Sequence, residues 1–165
     1  PWHDDKTYIE RLAKTVRAKM ADIDFKPDMI VASFHGVPQE YLTKGDPYHC
    51  QCQKTGRLLR EELGMNREQF MVCFQSRFGN DPWSQPYLIE TMAKLPTQGV
   101  KNILVIAPGF TTDCLETLEE IEEENREEFM HNGGEKFAYV PCLNDSDDGI
   151  DVIEAVVRRE LMGWV

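Results

Sequence analysis

Four short apolar runs alternate with five amphipathic helical patterns along this chain of 165 residues. The runs span residues 29–34, 70–74, 102–107 and 137–142, and the helical patterns lie near residues 5–20, 48–63, 85–95, 115–130 and 149–161. Such alternation is typical of right-handed βαβ units, whose parallel strands are covered by helices. The sequence therefore predicts an α/β fold: a three-layer sandwich around a central four-stranded parallel sheet, Rossmann-like or flavodoxin-like.

The composition limits the domain count, the partners and the compartment. The length fits one domain over residues 1–165. The formal net charge of −11 argues against nucleic acid as a partner, because phosphates are repelled. Five cysteines without paired CxxC units favour free thiols in a reducing compartment, the cytoplasm. Because the chain opens on Pro1 rather than methionine, we expect a processed product or a fragment of a longer protein.

His35 follows the first apolar run directly, and Gly36 and Pro38 require a turn there. In open α/β sheets, ligands bind beyond the carboxyl ends of the strands, so this position is a candidate site. A neutral imidazole accepts a proton or binds a metal at about pH 7. The alternative is a histidine that only completes the hydrogen bonding of a loop, and the residue by itself leaves both interpretations open.

Glu116 follows the third apolar run, near the start of a helix. With Asp113 as the N-cap, Glu116 has the spacing of a capping box, which is the structural alternative to a chemical role. Glu116, Glu120 and Glu124 stand at i, i+4 and i+8, which predicts a line of carboxylates where a divalent cation such as Mg²⁺ would relieve repulsion. The dense glutamates are otherwise typical of a solvated face. The predicted buried side of this helix consists of Leu115, Leu118, Ile121 and Phe129.

A second metal motif is weaker. His49, Cys50 and Cys52 stand close together, but a closed tetrahedral site needs four ligands. Free thiols near a helix start are therefore the favoured interpretation, and an iron–sulfur cluster is not expected. The sequence contains no P-loop, no GxGxxG, no HExxH and no nucleophile elbow.

Taken together, several strings resemble the ferrochelatases, the enzymes that insert Fe²⁺ into a porphyrin. The strings follow the family's order over nearly the whole chain: Ser33-Phe34-His35-Gly36-Val37-Pro38, Gly45-Asp46-Pro47-Tyr48, Phe74-Gln75-Ser76-Arg77-Phe78-Gly79 with Pro82-Trp83, Pro108-Gly109-Phe110, Asp113 through Glu120, and Leu143-Asn144. The family has two similar α/β domains with the porphyrin between them. This chain resembles the C-terminal domain of a bacterial member, so the resemblance implies that an N-terminal domain is absent from it.

The resemblance also implies roles for individual residues. His35 and Glu116 match the active-site histidine and glutamate, and are expected to be catalytic and to contact iron. Glu120 and Glu124 match an acidic line that leads away from the pocket and are expected to bind metal. The segments that border the porphyrin supply three further expected substrate-binding residues, Ser76, Arg77 and Trp83. Cys114 departs from the histidine of the animal enzymes, and the C-terminal cysteines that hold a [2Fe–2S] cluster in some members are missing.

The implied activity is insertion of Fe²⁺, as substrate, into protoporphyrin IX to form protohaem, with the isolated domain inactive. The implied partners are the porphyrin and the N-terminal domain, and the resemblance allows peripheral contact with a membrane. Three alternatives remain: a cobalt chelatase for an earlier tetrapyrrole, a non-catalytic haem- or metal-binding module, and a flavodoxin-like cofactor domain. The Gly45-Asp46-Pro47-Tyr48 and Gln75–Gly79 strings favour iron, and residues 35–38 make a poor phosphate-binding loop.

Overall fold

Strands and helices alternate in the structure as the apolar pattern predicts. The structure, a computed structural model, describes residues 2–164. Its strands are β1 (Met29–His35), β2 (Phe70–Gln75), β3 (Asn102–Ile106) and β4 (Lys136–Val140). Its α-helices are α1 (Lys6–Asp22), α2 (Gln39–Thr43), α3 (Tyr48–Glu62), α4 (Leu88–Lys94), α5 (Leu115–Leu118), α6 (Arg126–His131) and α7 (Asp147–Glu160). A 3-10 turn (Leu95–Gln98) extends α4, and a π-helical segment (Glu120–Asn125) joins α5 to α6.

The sheet is parallel throughout, with the strand order β2-β1-β3-β4. Because successive side chains of a strand point to opposite faces, β1 contributes to two separate cores. Ile30 and Phe34 pack with α1, α3 and α7, whereas Val31 packs with α4 and α6 on the other face. The predicted three-layer α/β sandwich is therefore confirmed. In this register His35 lies beside Gln75, so the ends of the two strands meet at one edge.

Local sequence explains where the long helices begin. The carboxylate of Asp5 accepts a hydrogen bond from the backbone N–H of Tyr8 and caps α1. The hydroxyl of Ser146 accepts one from the backbone N–H of Gly149 and caps α7. Within residues 2–164, no helix combines the length and apolar character that crossing a membrane requires.

The acidic helix differs from its prediction. Residues 115–130 do not form one α-helix, because the N–H of Glu124 bonds to the carbonyl of Glu119 five residues back. The side chain of Asn125 donates to the carbonyl of Glu120 at 2.6 Å and supports this wider turn. Ile121 and Phe129 are buried as predicted, but the prediction that Leu115 and Leu118 are buried is wrong, since both are exposed.

The packing of α3 on β2 gives a stability prediction. A Cβ at Gly56 would overlap Cγ2 of Val72, which is a stiff side chain. Helix propensity alone would make Gly56→Ala stabilising by about 1 kcal/mol. We expect it to destabilise instead, because overpacking costs about 1–3 kcal/mol. In a Val72→Ala background the same Gly56→Ala change should be stabilising, and urea unfolding of all four proteins measures this reversal. An unchanged sign would show that the overlap relaxes at no cost.

Candidate active site

His35 ends β1 at the carboxyl edge of the sheet and is half-buried. Its Nδ1 lies 2.6 Å from the carbonyl oxygen of Gly36. Because a carbonyl oxygen only accepts, Nδ1 carries the proton, and the lone pair of Nε2 remains for a ligand. Among the described residues, none hydrogen-bonds to Nε2. The backbone carbonyl of His35 accepts a bond of 2.9 Å from the Tyr48 hydroxyl, which fixes the end of the strand.

Glu116 lies in the first turn of α5, on the segment that follows β3. The pKa of its carboxyl group is lowered by a hydrogen bond from the Cys114 thiol, then by its own backbone N–H, and also by the charge of a protonated His35. The site therefore holds a carboxylate at neutral pH. The capping-box interpretation of Glu116 is wrong: Cys114, not Asp113, is the N-cap, and it forms a capping box with Thr117.

Gln75 joins the histidine and glutamate segments. It ends β2 beside His35 and is buried, with 3% of its surface exposed. Its amide nitrogen donates to the backbone carbonyl of Glu116 at 2.6 Å, and its amide oxygen accepts from Ser33 of β1 at 2.6 Å. Gln75 therefore links the end of β1 to the backbone of the Glu116 segment, and a protonated His35 lies near enough for its charge to act on the Glu116 carboxyl group. Sequence reasoning assigned Gln75 no separate role, although the residue belongs to the family-like segment Phe74–Gly79.

Glu120 is held at the end of β2 instead of extending toward solvent. Its carboxylate accepts hydrogen bonds from the backbone N–H and the hydroxyl of Ser76, both at 2.6 Å, and from the Gln75 amide at 3.1 Å. Glu120 and the exposed Glu124 border a cavity of about 200 Å³ whose lining does not include Glu116. The structure therefore gives no support to a shared Mg²⁺ site along the three glutamates. Within residues 2–164, no three His, Cys, Asp or Glu side chains are grouped to hold a metal ion.

The other sequence candidates fall in different surroundings. The Trp83 ring lies 6.4 Å from the His35 ring, and Phe110 lies 6.5 Å from it on another segment. The Arg77 guanidinium is exposed and stacks over Tyr87 at 4.8 Å. Trp83 and Phe110 therefore flank the imidazole, whereas Arg77 stands at the rim.

The rim of the site exposes apolar side chains. Phe78 is 82% exposed and Leu115 is 72% exposed, on the loops that follow β2 and β3, and Leu118 is about half exposed. Isolated exposed apolar residues are common, but these follow β2 and β3 at the carboxyl edge of the sheet, the edge that also carries His35 and Glu116. The arrangement suits a large ligand with apolar faces.

The side chain of Asp113 holds the segment before Glu116 against β4 and the loop that follows it. Its carboxylate accepts hydrogen bonds from Asn144 (2.8 Å), Tyr139 (2.9 Å) and Thr117 (3.0 Å). The Asn144 side-chain oxygen accepts in return from the Asp113 backbone N–H at 2.9 Å. Burial opposes ionisation of Asp113, but the hydrogen bonds from Asn144, Tyr139 and Cys142 outweigh it, so the pKa of Asp113 is lowered. Sequence reasoning placed Asp113 as an N-cap and missed this role.

The Cys50 and Cys52 pair does not converge. Cys50 is exposed and Cys52 is buried, so they face different surroundings. His49, in the first turn of the same helix α3, stacks its ring on Phe74 with 4.9 Å between the ring centroids. This motif is structural in the described chain.

The fold and the site together define an α/β protein with an imidazole–carboxylate centre at the carboxyl edge of its parallel sheet. A family model described as Ferrochelatase matches residues 1–161. The chain belongs to the ferrochelatase family. It is 62% identical over 164 residues to a ferrochelatase of Rhizobium etli, covering 99% of this chain and 48% of that protein. It is 59% identical to a ferrochelatase of Agrobacterium fabrum, covering 100% of this chain and 48% of that protein.

Two further facts limit what these similarities mean. The chain spans about half the length of the curated relatives it matches. Among solved structures, SirB from Bacillus subtilis with Fe³⁺ has a TM-score of 0.58 and 19% sequence identity, covering 90% of this chain and 53% of that one. That likeness supports the α/β fold alone.

The contacts of Asp113 predict how stability depends on pH. Asp113→Asn should lower the free energy of unfolding by about 1–3 kcal/mol at neutral pH, because an amide nitrogen would face hydrogen-bond donors. The folded pKa is depressed, so the contribution is present above the unfolded pKa of about 3.9 and is lost as pH falls through the lower folded value. Urea unfolding of the wild type and of Asp113→Asn from neutral to acidic pH measures the difference between their free energies of unfolding, which should become smaller as the pH falls. Asp145→Asn, at an exposed position of the β4–α7 loop, is the matched control, and equal effects of both changes would contradict the assignment.

Proposed function

We propose that this chain is the part of a ferrochelatase that takes protons from a porphyrin and delivers Fe²⁺ to it. The observation that carries the proposal is the placement of His35 and Glu116 at the same carboxyl edge of the sheet, linked through Gln75, in a chain of the ferrochelatase family. The substrates are Fe²⁺ and protoporphyrin IX, the product is protohaem, and the reaction takes place in the cytoplasm.

The chemistry follows from the two side chains. Insertion needs two pyrrole N–H protons removed and the iron ion stripped of water. The Nε2 lone pair of His35 is available to accept a proton or to contact iron, because Nδ1 donates to Gly36. The Glu116 carboxylate stabilises the imidazolium that forms when His35 takes a proton, and imidazole and carboxylate both suit Fe²⁺. Two protein ligands leave the remaining positions of the ion to water and to the pyrrole nitrogens.

The side chains at the rim of the site supply the surface that contacts the porphyrin. Phe78, Leu115 and Leu118 offer apolar contact to the macrocycle, and Trp83 and Phe110 form walls beside the imidazole. The exposed Arg77 suits a carboxylate of the porphyrin. Ser76 takes part indirectly, since its hydroxyl is bonded to Glu120.

The acidic residues divide between two roles. Glu120 positions the π-helical segment against β2, since Ser76 and Gln75 occupy its carboxylate. Glu124 is exposed and borders the same cavity, and we assign to it the first contact with the incoming iron ion. Membership of the family argues against a non-catalytic binding module, and a metallation assay with Fe²⁺ and Co²⁺ tests the cobalt alternative.

Substitution of the two central residues should separate catalysis from folding. In the full-length protein, His35→Ala should reduce porphyrin metallation by about 10²–10⁴-fold, because it removes the proton acceptor. Glu116→Gln should also be severe, since it keeps the shape and removes the charge. The measurement is the rate at which the metalloporphyrin absorption spectrum appears.

The matched controls are His131→Ala and Glu119→Gln, which change a histidine and a glutamate at exposed positions outside the pair. Both should metallate at near wild-type rates, and all four variants should keep the wild-type unfolding midpoint. Near wild-type rates for Glu116→Gln would contradict its proposed role.

This chain by itself should fold but fail to metallate porphyrin. Two cores on the faces of one sheet are enough for a stable domain. The site, however, is open, with Phe78 and Leu115 facing solvent, so one wall cannot hold and bend the macrocycle. Cooperative unfolding in urea tests whether the isolated chain folds, and the metallation assay tests whether it is inactive. Turnover like that of the full-length protein would contradict the expected inactivity.

A further inference from the structure

A groove of about 540 Å³ lies between α3 and the outer edge of β2, which is an edge strand because the strand order is β2-β1-β3-β4. Phe70 and Val72 of β2 line it, and none of the other described residues that line it is acidic. Its cations are Lys54, Arg57, Arg60 and Arg67. A chain with a net charge of −11 thus places four of its 18 basic residues in one groove, so this groove attracts anions although the protein as a whole repels them.

The backbone of β2 is unpaired along this groove. Successive residues of a strand direct their backbone N–H and C=O groups to opposite sides. The carbonyl of Gln69 accepts from β1 at 2.8 Å, whereas the N–H of Phe74 donates outward to the carbonyl of Pro86 at 2.9 Å. The even-numbered residues therefore face the outer edge. Within residues 2–164, no group bonds to the backbone of Phe70 or Val72, so this part of the edge is open to a further strand.

Two of the four cations have no hydrogen bond to the rest of the chain. Lys54 and Arg57 are paired with acids. The side chain of Arg60 is only 18% exposed, yet the acid beside it, Glu61, is 3.9 Å away, which is too far for a hydrogen bond. Arg67 is exposed on the loop between α3 and β2, and no described side chain pairs with it. A guanidinium has five donors and no acceptor, so both arginines can bind an anion in the groove.

The cations lie on the side that an added strand would present to α3. Phe70 and Val72 direct their side chains into the core that α3 covers. Residues paired across neighbouring strands share a face of the sheet, so every second side chain of an added strand would lie on that side, at steps of about 7 Å. Arg60 and Arg67 line the groove there. Acidic residues at alternate positions of an extended segment therefore fit the groove.

The same cations disfavour a second copy of this chain as the occupant. Two β2 edges paired about a two-fold axis would bring Arg60 and Arg67 of one copy toward those of the other. Like charges so placed repel, which is how charged side chains protect an edge strand from self-association. This protection does not act against an acidic segment.

We propose that β2 binds an extended acidic segment of a partner protein as a fifth strand of the sheet. The segment's backbone bonds to Phe70 and Val72, and its alternate acids bond to Arg60 and Arg67. The lining of the groove includes neither His35 nor Glu116, so the proposal does not depend on the proposed function.

The first experiment compares three fluorescein-labelled peptides by fluorescence anisotropy on the full-length protein. In one peptide, three glutamates alternate with valines. The second has the same composition with its glutamates adjacent, and the third is the alternating sequence with its inner backbone nitrogens methylated. The alternating peptide should bind about tenfold more tightly than either of the others, because only it offers both acids on one face and backbone donors. Equal binding of either control peptide overturns the proposal.

Matched variants test the two guanidiniums. Arg60→Gln and Arg67→Gln should each weaken binding of the alternating peptide about tenfold, because each change removes charge-assisted hydrogen bonds. Arg126→Gln, at an exposed position of α6, is the matched control and should bind like the wild type. Unfolding midpoints of all four proteins show whether the fold is retained. Wild-type affinity in both groove variants would contradict the assignment.

Other occupants would give different results. Failure of the alternating peptide to bind the full-length protein would mean that another part of that protein covers the groove. Displacement of the peptide by an equal concentration of pyrophosphate would assign the groove to a small anion. Binding of the wild type, but not of Arg60→Gln, to phosphatidylglycerol vesicles would assign it to a membrane surface. Each of these results overturns the proposal.

Discussion

The site depends on one buried amide. Gln75 stands at the end of β2 and uses both ends of its side chain, accepting from Ser33 and donating to the carbonyl of Glu116. A buried amide without hydrogen-bond partners costs about 1–3 kcal/mol, so arrangements in which Gln75 makes both bonds are favoured over those in which it does not. Because the parallel register fixes Gln75 beside His35, the bond to Glu116 also fixes α5 relative to the end of β1. The imidazole and the carboxylate are thus placed by a third residue.

The π-helical segment extends this arrangement. Its wider turn lets the Glu120 carboxylate reach back to Ser76, whose backbone has a left-handed φ of 61°. That conformation costs about 1–2 kcal/mol in a residue with a side chain. Two short hydrogen bonds to a carboxylate, each charge-assisted, offset it. An ideal α-helix through residues 115–130 would have aligned the glutamates and forgone these bonds, which explains why the predicted acidic line is not realised.

Much of the fold follows from local sequence patterns, whereas the hydrogen bonds that assemble the site do not. Apolar runs predict all four strands to within a few residues, and the rule that ligands bind beyond strand ends makes His35 a candidate independently of the family resemblance. The five-residue helix α2 is too short to show a helical period. The sequence of residues 120–125 suits an α-helical turn as well as the π-helical turn that forms. Gln75 bonds to a residue 41 positions away, and Asp113 to one 31 positions away. Such contacts exist only once the sheet brings its loops to one edge, so sequence spacing contains no signal for them.

Two exposed apolar surfaces with different surroundings imply two kinds of contact. Phe78 and Leu115 lie at the same edge of the sheet as an imidazole and a carboxylate, so that exposed surface suits a ligand with both apolar area and charge. The exposed apolar face of α7 is bordered instead by charges that are already paired within the chain, Arg158 with Glu154 and Arg159 with Asp5. A chain with both surfaces risks aggregation, and the net charge of −11 opposes it through repulsion.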